Sequence, residues 1–173
     1  MPITTIIPEI LVFLTLLSDI FIGLMLVNLA IKLNIIEDLK NSLRKNSLLL
    51  AFVVSLAATL GSLFYSEILG YTPCKLCWFQ RIFMYPLPII FSILLKNKDL
   101  KIKKYTIALA IIGALIAAYH YLVQVFQFTT SCGTNSEIPC NLVFSFELGY
   151  ITIPMMALTA FILIIIFTYK KKS

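Results

Sequence analysis

Residues 71–81 read YTPCKLCWFQR, which places a Cys-x-x-Cys pair at the start of an apolar segment. Pro73 fits the first turn of a helix, where its missing N–H costs nothing, so the sequence predicts a helix that begins near Cys74. Cys77 then lies near the positive end of that helix, and Arg81 follows one turn later on the same face. Both effects favour the thiolate of Cys77, and a thiolate is the species that attacks disulfides. The motif therefore predicts redox chemistry, on a helix face where a bound electron acceptor would meet both Cys77 and Arg81.

The composition excludes a water-soluble domain of this size. Of the 173 residues, 60% are hydrophobic and only 13% are charged, whereas soluble domains carry about 25% charged residues. Five runs are long and apolar enough to be membrane-spanning helices. They cover residues 10–33, 47–69, 78–95, 105–127 and 148–169. No basic residue precedes Lys32, so the first run is expected to be a retained helix instead of a cleaved signal peptide. The sequence thus predicts an all-α polytopic membrane protein.

The basic residues predict how the chain is oriented in the membrane. Four of the 14 Lys and Arg residues lie at the end of the first run or just after it, five lie between the third and fourth runs, and three close the chain. Loops rich in Lys and Arg stay in the cytoplasm, so the N-terminus and both cysteine-bearing loops are expected outside, with the C-terminus in the cytoplasm. The net charge of +6 is therefore a topology signal. No nucleic-acid-binding motif accompanies it.

All four cysteines lie in or beside the two predicted outer loops, at Cys74, Cys77, Cys132 and Cys140. A Cys-x-x-Cys motif occurs in redox sites, in zinc sites and in ordinary disulfides, and four cysteines permit three pairings. A zinc site would need all four sulfurs to converge. The oxidising outer compartment, the lack of a second Cys-x-x-Cys motif and the neighbouring cations favour redox chemistry over zinc and over purely structural disulfides.

Polar residues inside the spans are further candidates. His120 is the only histidine, and Gln124 follows it by one turn. At about 1.5 Å per residue, Arg81 lies roughly 21 Å and His120 roughly 22 Å from the inner ends of their spans, so the two are expected at similar depth. Packing and site roles are equally favoured for His120. Asp19 in the first span is expected to be a polar contact that docks its helix, in preference to a proton-handling site.

Prolines interrupt the third span. Pro86 and Pro88 follow Tyr85, and a proline inside a helix removes a hydrogen bond and clashes with the preceding turn. The sequence therefore predicts a kink at this point. Such a kink would open a cleft between helices for a flat ligand.

Several motifs together resemble the bacterial disulfide bond formation protein B family, in particular its short-loop BdbC type. They are CKLCWFQR at 74–81, MYPL at 84–87, YHYLVQ at 119–124, PC at 139–140 and GYITIP at 149–154. The resemblance covers about residues 51–170. It implies a four-helix bundle in a bacterial cell membrane that oxidises a thioredoxin-fold, DsbA-like dithiol protein outside the membrane. It also implies that two electrons pass to a quinone, menaquinone or ubiquinone, in support of disulfide formation in exported proteins.

The resemblance also implies roles for individual residues. Cys74 and Cys77 correspond to the quinone-proximal pair, with Cys77 nearest the quinone. Arg81 corresponds to the residue that polarises a quinone carbonyl. His120 and Gln124 correspond to residues near the quinone ring.

The second cysteine loop corresponds to the partner-oxidising loop of the family. Cys132 aligns with the cysteine that forms the mixed disulfide with the partner, and Cys140 aligns with its mate. The resting pairs implied are therefore Cys74 with Cys77 and Cys132 with Cys140, both of which close short loops cheaply. The segment between Cys132 and Cys140 is too short for the membrane-lying helix of longer-loop members, so the sequence leaves partner docking open.

The first span has no counterpart in the four-helix pattern. The polar segment 34–46 is the best internal boundary. We therefore expect residues 1–46 to form an additional N-terminal transmembrane helix with a cytoplasmic linker, and residues 47–173 to form the DsbB-like redox domain.

Two other functions are compatible with parts of the sequence. The first is a structural membrane protein or assembly factor whose outer loops are stapled by inert disulfides. The second is an enzyme of the vitamin K epoxide reductase type, which also couples cysteine pairs to quinones. That type usually carries its Cys-x-x-Cys late in the bundle, and the order in this chain disfavours it.

Overall fold

The computed structural model describes residues 3–31, 46–97, 100–128 and 138–169. These residues form six α-helices. They are α1 (Ile3–Ile31), α2 (Ser47–Leu63), α3 (Lys75–Met84), α4 (Pro86–Asn97), α5 (Leu100–Val125) and α6 (Ile153–Thr168). One π-helical segment, Phe64–Ile68, continues α2. The structure confirms the predicted all-α polytopic class.

Helix lengths match the requirements of a bilayer. By length and composition, four helical segments can cross a membrane. They are Thr4–Asn28, Ser47–Ile68, Lys75–Asn97 and Ile102–Val125. Helix α6 is shorter, with 16 residues, and it is also apolar. These five segments correspond in order to the five apolar runs of the sequence.

The predicted kink lies at Tyr85, between α3 and α4. Pro86 is the first residue of α4, where a proline is tolerated because its N–H would be unpaired in any case. The N–H of Tyr85 still donates to the carbonyl oxygen of Arg81 at 2.9 Å, so α3 and α4 follow one another as a single interrupted span.

The main core lies among α2, α4, α5 and α6, with Met84 from the end of α3. Its buried residues are Ala51, Met84, Leu87, Phe91, Leu94, Ala110, Ala117, Phe161 and Ile164. Gly113 of α5 faces the Phe161 ring so closely that a Cβ at this position would overlap it. Close approach of this kind matters because helices in lipid associate through packing and hydrogen bonds more than through the hydrophobic effect.

The chain enters α6 through a tight turn. Glu147 and Ile151 exchange two backbone hydrogen bonds of 2.9 Å, with Leu148 and Gly149 at positive φ between them. Left-handed backbone cannot belong to a right-handed helix, so α6 begins at Ile153. The prediction that the last span begins at Leu148 is therefore wrong by five residues. Apolar content alone does not separate a turn from the helix that follows it.

Helix α1 lies at the edge of the bundle, against α2 and α6. Leu11 packs over Gly61, where an added Cβ would lie 3.2 Å from its Cδ1. Asp19 accepts a hydrogen bond of 2.7 Å from the Thr159 hydroxyl and one of 3.2 Å from the Tyr150 hydroxyl. The prediction that Asp19 is a docking contact is confirmed.

Candidate redox site

Cys74 is the N-cap residue of α3, with an extended backbone at φ −72° and ψ 173°. Pro73 consequently precedes the helix and does not occupy its first turn. The Sγ atoms of Cys74 and Cys77 lie 3.1 Å apart, and Sγ of Cys74 accepts a hydrogen bond from the Cys77 backbone N–H at 3.4 Å. Both cysteines are free. The structure therefore presents this pair in its reduced form, whereas the sequence analysis describes the oxidised resting pair.

The surroundings of Cys74 favour its thiolate. The hydrogen bond from Cys77 is the largest cause that lowers the pKa of Cys74 to about 4, against the opposing effect of burial, and His120 lowers it further. Cys74 lies just outside the span that begins at Lys75. From the sequence alone, a thiolate is expected at Cys77. In the structure the N-cap position gives the free helix N–H to Cys74, so the first thiolate of the reduced pair belongs to Cys74.

His120 of α5 is 1% exposed and joins α3 to the second cysteine loop. Its Nε2 lies 3.0 Å from the carbonyl oxygen of Cys140 and 3.6 Å from Sγ of Cys74, and its Nδ1 lies 2.9 Å from Nε2 of Gln80. A carbonyl oxygen only accepts, so Nε2 carries the ring proton, and the Gln80 amide donates to Nδ1. His120 thus presents an N–H to the space between the two cysteine segments.

Cys140 is disulfide-bonded and 1% exposed. It forms a small buried cluster with Cys74 and Val123. Gln124 holds the same loop, because its amide donates to the carbonyl oxygen of Leu142 at 2.9 Å. Cys132 lies outside the described residues, so its capture of a partner stays a prediction. The structure nevertheless brings Cys140 to the Cys74 side of the Cys-x-x-Cys pair.

The geometry does not suit the zinc alternative. Ligand atoms of Cys74, Cys77 and His120 lie within 4.8 Å of one another, which is close enough for a metal. However, the Nε2 of His120 is committed as a donor to a carbonyl oxygen, and a zinc-bound histidine must offer that lone pair. Cys140 is already in a disulfide, so its sulfur is not a thiolate ligand.

A cavity of about 300 Å³ opens beside Cys77 and Arg81. The Nε–H of Arg81 donates to Oγ of Ser62 at 3.2 Å, and Nη2 donates to the carbonyl oxygen of Ser62 at 3.2 Å. These bonds fix the guanidinium against α2 and use two of its five N–H donors. The Tyr85 hydroxyl donates to the same Ser62 Oγ at 3.2 Å. Arg81 is therefore anchored and still has donors for a ligand.

Tyr65 contributes a second polar group to this cavity. Its side chain is 5% exposed, and its hydroxyl has no hydrogen-bond partner in the part of the chain that the structure describes. The ring stacks on Tyr71 at 5.9 Å, and Tyr71 stacks on Phe144 at 4.9 Å. A buried hydroxyl without a partner costs about 1 to 3 kcal/mol. A ligand oxygen in the cavity would remove that cost.

The four residues predicted to bind the cofactor divide between two cavities. Cys77 and Arg81 line the large one. His120 and Gln124 line a second cavity of about 20 Å³, together with Cys74 and Cys77. Cys77 thus lies on both cavities. His120 and Gln124 contact the second cysteine loop. The resemblance instead implies a position near the quinone ring.

The sequence gives no site role to Ser62 and Gln80, and it favours contact with water over contact with the redox loop for Tyr65. Gln80 lies inside the Cys-x-x-Cys motif segment, but its partner His120 is 40 residues away. Ser62 and Tyr65 are three residues apart, which places them on one face of the second span. That spacing is the one signal available in the sequence, and it also suits ordinary packing.

Comparison with known proteins gives a consistent family. The sequence model of the family described as "Disulfide bond formation protein DsbB" matches residues 44–169. Disulfide bond formation protein C of Bacillus subtilis (strain 168) is 50% identical over 118 residues, 68% of this chain and 86% of the relative. The SPbeta prophage-derived disulfide bond formation protein B of the same organism is 46% identical over 123 residues, 69% of this chain and 81% of the relative.

A third relative, the probable disulfide formation protein of Oceanobacillus iheyensis, is 42% identical over 124 residues, 70% of this chain and 86% of the relative. No solved structure matches the chain. The family match covers more than half of the chain, and it includes both cavities' cysteines and the residues that position them. This membrane protein with a reduced Cys-x-x-Cys pair at a helix N-terminus belongs to the DsbB family of disulfide bond formation proteins.

Proposed function

We propose that this membrane thiol-disulfide oxidoreductase reoxidises an extracytoplasmic thioredoxin-fold dithiol protein and passes the electrons to a membrane quinone. The observation that carries the proposal is the position of Cys77. It lines the large cavity with Arg81 and the small cavity with Cys74 and His120. One residue thus contacts both the space for an acceptor and the side from which Cys140 approaches.

The large cavity fits a quinone head group. Its volume of about 300 Å³ is at the small end of the range for ligand sites, its walls are mostly apolar, and it has a cationic donor in Arg81. When bound, a quinone accepts two electrons and two protons. Arg81 and Cys77 would hold it, with Arg81 directed at an oxygen.

Thiol-disulfide exchange supplies the electrons. A partner thiolate attacks Cys132, forms a mixed disulfide with it and releases Cys140 as the leaving thiolate. Cys140 then attacks Cys74 of the oxidised pair, so a Cys140–Cys74 bond forms and Cys77 leaves with the bonding electrons. The second partner thiol attacks the mixed disulfide and displaces Cys132. Cys132 then attacks Cys140 in the Cys140–Cys74 bond, which restores the Cys132–Cys140 disulfide and releases Cys74. The net result is an oxidised partner and a reduced Cys74–Cys77 pair.

The proposed exchange would leave the Cys132–Cys140 disulfide closed and the Cys74–Cys77 pair reduced. Cys140 is in a disulfide, and Cys74 and Cys77 are free thiols. The Nε2–H of His120 lies 3.6 Å from the Cys74 sulfur, where it can stabilise the thiolate that leaves. Inert disulfide staples, the structural alternative, give no role to the cavity that Cys77 and Arg81 line.

A turnover assay tests the proposal. Purified protein is mixed with a reduced thioredoxin-fold dithiol protein and a soluble quinone, and the loss of quinone absorbance is followed with the partner's disulfide content. We expect one quinone reduced for each partner disulfide formed, and no reaction in a Cys77→Ser variant. A failure of every such donor to reduce quinone in a folded protein would contradict the proposal.

A further inference from the structure

The N-terminal helix contributes one wall of the large cavity. Its lining residues are Leu11, Leu14, Thr15 and Ser18. The Thr15 hydroxyl donates to the carbonyl oxygen of Leu11 at 2.8 Å, and the Ser18 hydroxyl donates to that of Leu14 at 2.7 Å. Both hydroxyls are satisfied within α1, so this wall offers mainly hydrocarbon. The DsbB family match begins at residue 44 and does not include it.

Contacts on both sides of this wall hold α1 in place. Leu11 packs on Gly61 of α2, and both residues line the cavity. One turn beyond Thr15, Asp19 accepts from the hydroxyl of Thr159, which is 3% exposed and lines the cavity from α6. Asp19 also accepts from Tyr150 in the turn that precedes α6. The residue that docks the helix is therefore bonded directly to a residue of the α6 wall.

The physical consequence concerns lipid. A carboxylate inside a membrane span is costly unless it is paired, so Asp19 and its two hydroxyl donors resist separation. With α1 seated, the apolar wall shields the space beside Cys77 from the bilayer. With α1 displaced, lipid chains would reach the same apolar surface and compete with a head group for it.

We propose that α1 closes the acceptor cavity and that Asp19 is the positioning residue that seats it, so that quinone affinity depends on a helix outside the family's four-helix unit. This inference rests on the proposed function and adds how the cavity retains the quinone.

Direct binding tests the inference without turnover. The chain has a single tryptophan, Trp78, whose ring lies 5.3 Å from the Arg81 guanidinium carbon, so quenching of its fluorescence reports a quinone in the neighbouring cavity. Asp19→Leu should raise the quinone Kd by about threefold to tenfold, the size expected for the loss of an interhelical hydrogen bond in a membrane. Asp19→Asn, which can still bond both hydroxyls, should restore most of the affinity. Leu17→Ala, an exposed position on α1, serves as the control.

A second variant keeps Asp19 and both of its hydrogen-bond donors. Thr15→Phe fills the cavity from the α1 side and leaves Asp19 intact, so it should also raise the quinone Kd, whereas Leu17→Phe on the exposed face should not. A photoreactive azidoquinone should label a peptide that contains residues 11–18 in the unmodified protein. This label should be lost in Asp19→Leu.

The outcomes separate the two proposals. Saturable quenching that is unchanged by both Asp19→Leu and Thr15→Phe, with no label on α1, would overturn the role of α1 and leave the quinone as the acceptor. An absence of saturable quenching in the unmodified protein would overturn the proposed acceptor and this inference together.

The unpartnered hydroxyl of Tyr65 independently supports a second inference. This side chain is 5% exposed, lines the large cavity and has no partner for its oxygen among the described residues. We infer that Tyr65 is a ligand-binding residue whose hydroxyl donates to a carbonyl oxygen of the quinone. Arg81 supplies the other donor in the same cavity.

Tyr65→Phe removes the hydroxyl and keeps the ring stack on Tyr71. We expect a rise of about threefold to tenfold in the quinone Kd, the range for one neutral hydrogen bond, and no change for Tyr119→Phe, whose side chain is exposed on α5. Naphthalene, which has the rings of a naphthoquinone and no oxygen, should compete equally well in Tyr65→Phe and in the unmodified protein. An unchanged quinone Kd in Tyr65→Phe would overturn this role.

Discussion

The side-chain amide of Gln80 lies 2.9 Å from Nδ1 of His120, a bond between the helix that carries the Cys-x-x-Cys pair and α5. It holds the ring proton of His120 on Nε2, which faces both the Cys74 sulfur and the Cys140 carbonyl oxygen. The tautomer of His120 thus depends on Gln80 of α3. Such outer contacts orient the groups that perform the chemistry.

Loss of either member of this pair should change the acidity of Cys74. His120→Phe removes a contact that lowers the pKa of Cys74. The pH profile of Cys74 alkylation should therefore move to higher pH in this variant. Gln80→Leu should move it in the same direction and by less, because the ring remains but its tautomer is no longer fixed. Tyr119→Phe, at an exposed position of α5, is the control. If the alkylation profiles of His120→Phe and Gln80→Leu matched that of the unmodified protein, the Gln80–His120 pair would serve packing alone.

The unmodified reduced protein should react with iodoacetamide at Cys74 at a rate that is nearly constant above about pH 5. The pKa of Cys74 is lowered from 9.0 to about 4, so the thiolate is fully formed in that range. Mass spectrometry of the alkylated peptide locates the label. A rate that rises up to pH 8 or 9 would contradict the assignment of the thiolate to Cys74.

The same depressed pKa predicts how the stability of the reduced protein varies with pH. A thiol that is more acidic in the folded state stabilises that state fully above its unfolded pKa, near 9, and this stabilisation is lost as the pH falls through about 4. The thermal midpoint of the reduced protein should therefore fall as the pH is lowered from 9 to 4. A Cys74→Ser variant should lose this pH dependence, and an equal slope in both proteins would contradict the explanation.

Arg81 should affect quinone binding separately from thiol exchange. Arg81→Lys keeps the charge and loses the planar fork that bonds Ser62, and Arg81→Met loses both, so the quinone Kd should rise in the order Arg, Lys, Met. We expect about a tenfold rise for Met, the size of a charge-assisted hydrogen bond. Lys75→Met, at an exposed position of the same helix, is the control. If Arg81→Lys and Arg81→Met bound quinone as tightly as the unmodified protein, Arg81 would only connect α3 to α2.

The predicted orientation can be tested with single introduced cysteines. In a background in which the four native cysteines are serine, Thr72→Cys should react with a membrane-impermeant maleimide on intact cells. Lys104→Cys should react only after permeabilisation, because basic loops remain in the cytoplasm. Both side chains are exposed. The reverse pattern would invert the topology and exclude an extracytoplasmic partner.

Much of the fold follows from local sequence properties. The apolar runs located five helical segments, and Pro86 located the break at Tyr85, because both features act within a turn or two of the chain. The start of α6 was missed because the turn at Leu148 and Gly149 is itself apolar. Periodicity and hydropathy carry no information on such a turn.

The candidate site was less accessible to sequence reasoning. The Cys-x-x-Cys motif identified the redox pair, but one residue of difference in the helix start moved the favoured thiolate from Cys77 to Cys74. The partners of Arg81, His120 and Asp19 lie 19 to 140 residues away in the chain. Contacts over such separations are set by tertiary packing, so the roles of Ser62, Gln80 and α1 appear only in the structure.

The central claim is that the reduced Cys74–Cys77 pair delivers its electrons to a quinone in the cavity lined by Cys77 and Arg81. The most direct measurement mixes protein in the described redox state, with this pair reduced, with one equivalent of a soluble quinone and no partner. Quinone absorbance and the disulfide content of the Cys74–Cys77 peptide are then followed together. We predict that the quinone is consumed stoichiometrically as the Cys74–Cys77 disulfide forms. A quinone that binds and quenches Trp78 while its absorbance and both thiols persist would contradict the account.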